Sequence, residues 1–447
     1  MSDSPRSIAI LGAGITGLTA AHRLTQHGHR VRVFEASDRV GGAIRTEVTA
    51  DGWLIESGPN TLLSGDPAFA ALVAELGLAS ELISAAPAAK HRYIVRRGRP
   101  VPLPLSPLAL IPSPLLSVGA KARVFREMRF RPRLRDTDVS LAALVRDHFG
   151  DEIVDYVLNP FVTGIYAGDP EKLSARHAFP KLWAAEQAHG SLLRAQAAAA
   201  KTRAPDAGIV SFRRGLQTLP DALAARLSAG ALALNRKVVA LTPGSAWTVS
   251  CDDGSSENFD AIVAALPAPA LATLRIGAAA PLAPLDTIVH PPVASLFLGY
   301  RREQVAHALD GFGLLVPAVE AHSLLGVLFS STLFPGRAPA GHLALTVLAG
   351  GTRQPELARL SADALLARIV PDLEKLLGAR GAPVFQRHAF WPRAIPQYDL
   401  GYERHLAAIA AVERAHPGLF IGGQVCDGIA LPACLAAGER LAQRALK

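Results

Sequence analysis

SIAILGAGITGLTAAHRLTQHGHRVRVFEASDRVGG, residues Ser7 to Gly42, reads as strand, glycine turn, helix, strand. Ile8, Ile10 and Leu11 lie in a short apolar run of the kind shown by a strand buried on both faces of a parallel sheet. Gly12, Gly14 and Gly17 then fill G-x-G-x-x-G, with Ala13, Ile15 and Thr16 between them. Thr19 to Gln26 have helical character, Gly28 is placed to end the helix, and a second strand closes on Glu35, 18 residues after Gly17. Gly12 permits the tight turn, Gly14 lets the backbone approach a pyrophosphate, and Gly17 lets helix and strand pack closely. The helix N-terminus offers unpaired N–H groups to phosphate, and Glu35 can accept hydrogen bonds from ribose hydroxyls. A lone G-x-G-x-x-G says little. Here the preceding strand, the following helix and the acid near the expected offset supply the context that the motif needs for a dinucleotide.

Outward from that unit, 447 residues correspond to about three domain-sized units. Half of the residues are hydrophobic and 19% are charged, which excludes a disordered chain. Cys251, Cys426 and Cys434 are too few and too scattered for a disulfide framework, and no Cys/His cluster has zinc spacing, so no metal is expected. The His22, His27, His29 triplet lacks an acidic partner at metal spacing and reads as solvated. MSDSPRS resembles neither a signal peptide nor a transit leader, so a bacterial cytoplasmic setting is expected. The net charge of +8 is uneven. Lys90 to Arg135 hold 12 Lys/Arg against Glu127 alone, a balance of +11 that leaves the rest at −3. Such a region suits an anionic partner. Nucleic acid is not expected, because no binding module accompanies it.

After Glu35 and Ala36, Asp38-Arg39-Val40-Gly41-Gly42-Ala43 forms a second glycine turn, where Arg39 can neutralise a phosphate. Trp53 to Ile55 suggest a strand and Gly58-Pro59-Asn60 a tight turn before Thr61. Val101 to Ala120 is 20 residues without a charge, but prolines at 102, 104, 107, 112 and 114 argue against a transmembrane helix. This apolar lip precedes the arginine-rich run that begins at Lys121. Together they suit peripheral contact with an anionic membrane on the inner face of the cell membrane; the alternative is a proline-rich core loop beside a solvated helix. Helices are expected over Glu152–Phe161, over Trp183–Lys201 and, mostly, over Leu360–Leu377 with a break or restart at Pro371, and a linker over Ala204–Gly208. Strands are expected at Lys237–Leu241, Trp247–Cys251, Phe259–Pro267, Leu296–Tyr300, Gly326–Ser330, Leu343–Leu348 and Leu419–Gly423, with a closing helix over Cys434–Leu446.

The opening unit with Arg39-Val40-Gly41-Gly42 resembles the flavin amine oxidase superfamily. Asn159-Pro160-Phe161-Val162-Thr163-Gly164-Ile165-Tyr166-Ala167-Gly168-Asp169-Pro170 is similar to the protoporphyrinogen oxidase family within it. So are Leu173-Ser174, Phe179-Pro180-Lys181-Leu182, Ser330-Ser331-Thr332-Leu333-Phe334-Pro335, Trp391-Pro392, Ile395-Pro396-Gln397-Tyr398 and Gly428-Ile429-Ala430-Leu431. The likeness covers nearly the whole chain. Gly422-Gly423-Gln424-Val425-Cys426-Asp427 differs from relatives that carry Asn-Tyr or Ser-Tyr there, and Leu431-Pro432-Ala433-Cys434 is similar to the coproporphyrinogen-oxidising branch.

The resemblance implies a mixed α/β and α+β fold. A Rossmann-like FAD domain would be assembled from 1–86, 205–275 and 384–447, with a helical membrane-associating insertion over 87–204 and an antiparallel substrate domain over 276–383. It implies FAD, a porphyrinogen substrate that loses six hydrogens, and oxygen as acceptor; a homodimer is admitted. The cofactor contacts it implies are Gly12, Ala13, Gly14, Ile15, Thr16, Gly17, Glu35, Ala36, Arg39, Gly42, Ala43, Gly58, Pro59, Asn60 and Thr61. They continue at Val238, Trp391, Gln424, Ile429, Ala430 and Leu431. On the substrate side it implies Arg92 for a propionate, a Gly164 carbonyl toward pyrrole nitrogens, and Leu315 and Phe334 against the rings. A large apolar ring system with carboxylate ends wants such apolar walls and a few arginines. The residues show no strong acid or base, and the flavin would carry the chemistry. The alternatives are a coproporphyrinogen III oxidase and a flavoprotein that binds tetrapyrrole without turning it over.

Overall fold

The computed structural model describes residues 5–131, 135–201 and 208–447. The linker expected at 204–208 lies outside them except for Gly208. The opening strand, Ser7–Leu11, is central in a five-stranded parallel sheet. On one side it pairs with Arg30–Phe34 and then Leu232–Ala233; on the other with Ala261–Ala264 and then Leu419–Ile421. Its side chains are buried on both faces, which is why the sequence shows an unbroken apolar run. This sheet therefore draws on the beginning, middle and end of the chain. The opening helix, Ile15–Gln26, packs along the closing helix, Leu431–Ala445.

A seven-stranded sheet forms the second body. Its order is Phe385–Trp391, Val293–Arg301, His342–Gly350, Gly326–Leu328, Gly311–Leu315, His91–Arg96, Arg99–Pro102. All its pairs are antiparallel except that between Gly311–Leu315 and His91–Arg96. The segment 87–204, expected to be helical, thus opens with a hairpin. Arg97 and Gly98 both have positive φ, of 53° and 70°, as a two-residue hairpin turn requires. The strand Phe385–Trp391, which opens the segment 384–447, likewise belongs to this sheet. Helix Ala362–Leu377 covers one face and runs through Pro371 without the expected break. Its buried Leu365, Ile369, Leu373 and Leu376 offset the backbone hydrogen bond that proline removes.

The third body is helical. Val118–Glu127, Leu141–Phe149, Asn159–Tyr166, Pro180–His189 and Leu192–Lys201 are its main helices. The single helix expected over Trp183–Lys201 is interrupted at Gly190, whose φ of 69° suits glycine. Ser191 and the backbone of Leu192 and Leu193 then turn to Glu127, the one acid of the basic run. Glu127 is fully buried. Its carboxylate accepts from the Ser191 hydroxyl at 2.7 Å, Leu192 N at 2.5 Å and Leu193 N at 3.3 Å. His148 lies between Glu127 at 2.9 Å and Glu186 at 3.1 Å, and Arg135 grips Glu186 with two bonds of 2.7 Å. Among the described residues, no helix is long and apolar enough to cross a membrane.

Glu127→Ala should strip a buried partner from His148, Ser191 and two backbone N–H groups. A loss of roughly 3–5 kcal/mol is expected in equilibrium unfolding, and a near-neutral change would contradict the account.

Candidate functional site

The first glycine turn is held from below and open above. Gly12, at φ 98°, donates to Phe34 O at 2.8 Å. A Cβ on Gly17 would lie 2.0 Å from Gly12 O, so this crossing admits only glycine. Gly14 N-caps the opening helix without a side-chain cap, and nothing lies within 4 Å of the place a Cβ would take. Ala13, Ile15 and Thr16 complete the turn. Glu35 accepts from Ala13 N at 2.8 Å through one oxygen and from Ser37 N at 2.9 Å through the other. Its carboxylate is thereby fixed at the end of the second strand, with exposed Ala36 beside it.

The second glycine turn docks on the first through Gly41 N to Ala13 O at 2.8 Å. Gly42 and Ala43 are exposed there. Arg39, expected to face a phosphate, bonds the carbonyls of Ile44 at 2.8 Å and Gly42 at 2.7 Å, which fixes the loop's shape. A Cβ on Gly58 would meet Ala43 O at 1.9 Å, so the Gly58–Thr61 turn lies directly against this loop. Trp391 Nε1 donates to Ser57 O at 2.8 Å, and Asn60 Nδ2 to Gly58 O at 3.0 Å; Pro59 and Thr61 are half-buried between and beyond. Val238 opens the strand Val238–Thr242 of a separate four-stranded sheet and packs on the core that includes Phe34.

The far end of the chain arrives at Thr16. Its hydroxyl donates to Cys434 O at 3.0 Å, and Gly423 lies alongside. A Cβ on Gly438 would be 2.6 Å from Thr16 O, so the two helices touch backbone to backbone. Ala430 N-caps the closing helix without a side-chain cap. Two uncapped helix N-termini, at Gly14 and Ala430, thus flank one region, an arrangement suited to anionic groups. Ile429 and Leu431 are half-buried and Ala430 exposed. In the departing Gln424-Val425 pair, Val425 points into the core while Gln424 is half-buried.

On the substrate side, Gly164 and Leu315 come together. A Cβ on Gly164 would sit 2.8 Å from Leu315 Cδ2. Gly164 lies in the last turn of helix Asn159–Tyr166, where carbonyls lack an intrahelical donor. Arg92 is exposed over the Phe312 ring at 5.7 Å, and among the described residues no carboxylate pairs with it. Phe334 is 2% exposed under the Arg337 guanidinium at 5.3 Å. It shares a small cavity with Asn60, Glu56 and Arg337, which brings it to the cofactor side.

The Glu56–Arg337 pair was not foreseen. Glu56 is 4% and Arg337 2% exposed, at 3.8 Å. Glu56 accepts from Leu216 N at 2.8 Å and Thr46 Oγ1 at 2.7 Å; Arg337 donates to Ser211 Oγ at 2.7 Å and Phe212 O at 3.2 Å. Burial pushes the Glu56 carboxyl up to about 7 and lowers Arg337, so desolvation outweighs their pairing. The visible signal was an acid inside the apolar run of residues 53–56. Other expectations need correcting. His22 and His29 are buried, not solvated: His22 pairs with Glu75 at 2.5 Å and His29 Nδ1 accepts Arg6 N at 3.1 Å. The tertiary fold supplies an acid 53 positions away. Cys434 is buried and Cys426 half-buried; burial pushes Cys426 up to about 12 and Cys434 to about 11. Asp138, His177 and Glu403 have ligand atoms within 4.8 Å of one another, but Asp138 is already occupied by Ser174 and the Val139 and Arg176 N–H groups.

The chain matches the flavin containing amine oxidoreductase family over residues 15–446. It is 34% identical over 476 residues to protoporphyrinogen oxidase 2, chloroplastic/mitochondrial, of Arabidopsis thaliana, covering 98% of this chain and 93% of that one. It is 28% identical over 467 residues to coproporphyrinogen III oxidase of Bacillus subtilis (strain 168), covering 100% and 99%. Among solved structures, one from Exiguobacterium sp. 255-15 superposes with a TM-score of 0.84 at 22% identity over 98% of each chain. Reduced UDP-galactopyranose mutase superposes with a TM-score of 0.77 at 18% identity, over 98% of this chain and 95% of that one. At these identities both show the fold alone.

Raised from its ordinary 4.5 to about 7, Glu56 keeps its proton on folding where the unfolded chain has lost it. Its contribution to stability is therefore present below about 4.5 and is lost as pH rises through about 7. Compared with Glu56→Gln, the wild type should lose up to about 3 kcal/mol across that window in unfolding experiments. A difference that stays flat with pH would contradict the assignment.

Proposed function

The chain belongs to the flavin containing amine oxidoreductase family, and from that premise we propose that it oxidises protoporphyrinogen IX to protoporphyrin IX. The protein is an FAD-dependent oxidoreductase. The observation that carries the substrate assignment is the 34% identity with a plant protoporphyrinogen oxidase across 98% of the chain. The fit of FAD is supported by the open backbone at Gly14, the fixed carboxylate of Glu35, and the two uncapped helix ends at Gly14 and Ala430.

In this reading Gly12 to Gly17 and Glu35 would hold the adenosine and phosphates. Residues 58–61, Trp391 and 424–431 would hold the other end. FAD held there would supply the redox chemistry, hydride acceptance from a bridging carbon of the substrate with oxygen as the final acceptor and hydrogen peroxide as its product. The chain's own residues orient. Arg92 would take a propionate with paired N–H donors. The Gly164 carbonyl, without an intrahelical donor, would accept from pyrrole N–H groups. Leu315 and Phe334 would supply apolar walls. Three two-electron steps would account for the six hydrogens: three leave as hydride from bridging carbons and three as protons, two of them from pyrrole nitrogens and one from the fourth bridging carbon.

The coproporphyrinogen III reading is the second one. Leu431-Pro432-Ala433-Cys434 and the full-length relationship to the Bacillus subtilis enzyme favour it. The surface adds a membrane to the proposal. Leu105, Leu108 (79% exposed), Ile111 and Val118 (83%) project beside exposed Arg123, Arg126 and Arg129. Apolar side chains next to cations suit an anionic bilayer, which would place the protein at the inner face of a bacterial cell membrane.

Mixed under air with protoporphyrinogen and, separately, coproporphyrinogen, the purified protein should produce porphyrin fluorescence, faster with the first. A faster response to the second moves the assignment to the other branch, and none with either refutes the enzyme. Arg92→Ala should raise KM roughly tenfold with flavin retained, whereas loss of flavin would count against its role. Separately, the protein should sediment with anionic vesicles and less so as salt rises. Equal binding to neutral vesicles would contradict the charge argument.

A further inference from the structure

Ile395-Pro396-Gln397-Tyr398 lies between the two halves of the proposed site and touches both. Gln397 is 2% exposed, and its Nε2 donates to Tyr166 O at 2.9 Å. Tyr166 ends the helix that bears Gly164. A Cβ on Gly168 would be 2.1 Å from Gln397 Oε1, so glycine there lets the amide reach in. Its own backbone N–H is anchored on Val289 O at 2.9 Å.

The next residue works in the other direction. The buried Tyr398 hydroxyl donates to Gln424 O and accepts Gly428 N at 3.1 Å. One oxygen thereby joins both ends of the loop 424–428. Tyr402, its ring 4.6 Å from that of Tyr398, donates to Val425 O at 2.8 Å. Backbone bonds fasten the clamp itself, including Ser174 N to Tyr398 O at 2.8 Å. Burial raises the Tyr398 phenol well above its ordinary value, which keeps the hydroxyl neutral and able to donate and accept at once.

We propose that Gln397 and Tyr398 are positioning residues that set the spacing between the Gly164 carbonyl and the cofactor-side loop 424–431. The inference rests on the reading that these two elements face substrate and flavin respectively. Neither side chain is required to touch a reacting atom. Gln397 holds one wall by its last helical carbonyl, and Tyr398, one residue on, holds the other. Hydride transfer is steep in distance, so a shift of about 1 Å costs on the order of a hundredfold.

Tyr398→Phe removes one oxygen and frees Gln424 O and Gly428 N. Gln397→Leu removes the donor to Tyr166 O at similar volume. FAD content, the visible flavin spectrum, FAD dissociation from the holoprotein, and anaerobic flavin reduction by protoporphyrinogen should be measured on each. Tyr398→Phe should retain FAD, alter its spectrum, weaken its binding and slow reduction roughly ten- to a hundredfold. Gln397→Leu should slow reduction comparably with an unchanged spectrum. The double variant should be no slower than the slower single, because releasing either end already frees the gap. Wild-type spectra and rates within about twofold in both variants would overturn the proposal. So would a variant that loses stability or FAD while its remaining holoprotein reacts at the wild-type rate, which marks a purely structural contact. If the wild type itself fails with both porphyrinogens, the functional reading falls, and the Tyr398→Phe spectrum and FAD binding decide the clamp.

Discussion

Two contacts without side chains hold the architecture together. Gly17 crosses Gly12 so closely that a Cβ would be 2.0 Å from its carbonyl, and Gly438 meets Thr16 O with only 2.6 Å to spare for one. The first lets the opening helix start directly off the opening strand. The second lets the last helix of the chain lie on that same helix. Together they bring two uncapped helix N-termini to one place and force residues some four hundred positions apart into one site. The discontinuous parallel sheet follows: the chain returns at Ala261–Ala264 to pair with the opening strand on its second side, and at Leu419–Ile421 to extend the sheet beyond it.

From that cradle the substrate side is reached by few rigid links. Trp391 bonds Ser57, Asn60 shares a cavity with Phe334, and the Gln397-Tyr398 step joins the Gly164 helix to the 424–428 loop. Few charged groups in this region are free to act as acid or base. Arg39 is spent on its own loop, and Glu56 is tied to Leu216, Thr46 and Arg337. Such a site positions rather than protonates, which accords with a protein whose cofactor carries the redox chemistry.

What was legible in the sequence was local. The run Ser7 to Glu35 has a period, a turn and a cap that depend only on neighbours, and the structure follows it closely. The hairpin at His91–Pro102 was hidden because the resemblance implied a helical segment over 87–204, while two positive-φ residues, Arg97 and Gly98, decided the turn. Glu127 stood out in the sequence only as the one acid among arginines; folding brings His148, Ser191 and Leu192 to it. His22 meets Glu75 in the same way. Pro371 was read as a break because local rules penalise it, and a buried helix face overrode them. The candidate contacts themselves came from resemblance, since nothing in the spacing of Arg92, Gly164, Leu315 and Phe334 marks them as a set. The structure brings Gly164 onto Leu315 and seats Phe334 in a cavity with Asn60.

The central claim is that one chain holds FAD at one end of this gap and a porphyrinogen at the other. An anaerobic single-turnover experiment tests it most directly: holoprotein mixed with excess protoporphyrinogen, with flavin absorbance and porphyrin fluorescence followed together. The account predicts bleaching of the flavin band in step with the loss of porphyrinogen, and recovery of the band when air is admitted. A flavin that stays oxidised in the presence of bound porphyrinogen would contradict it.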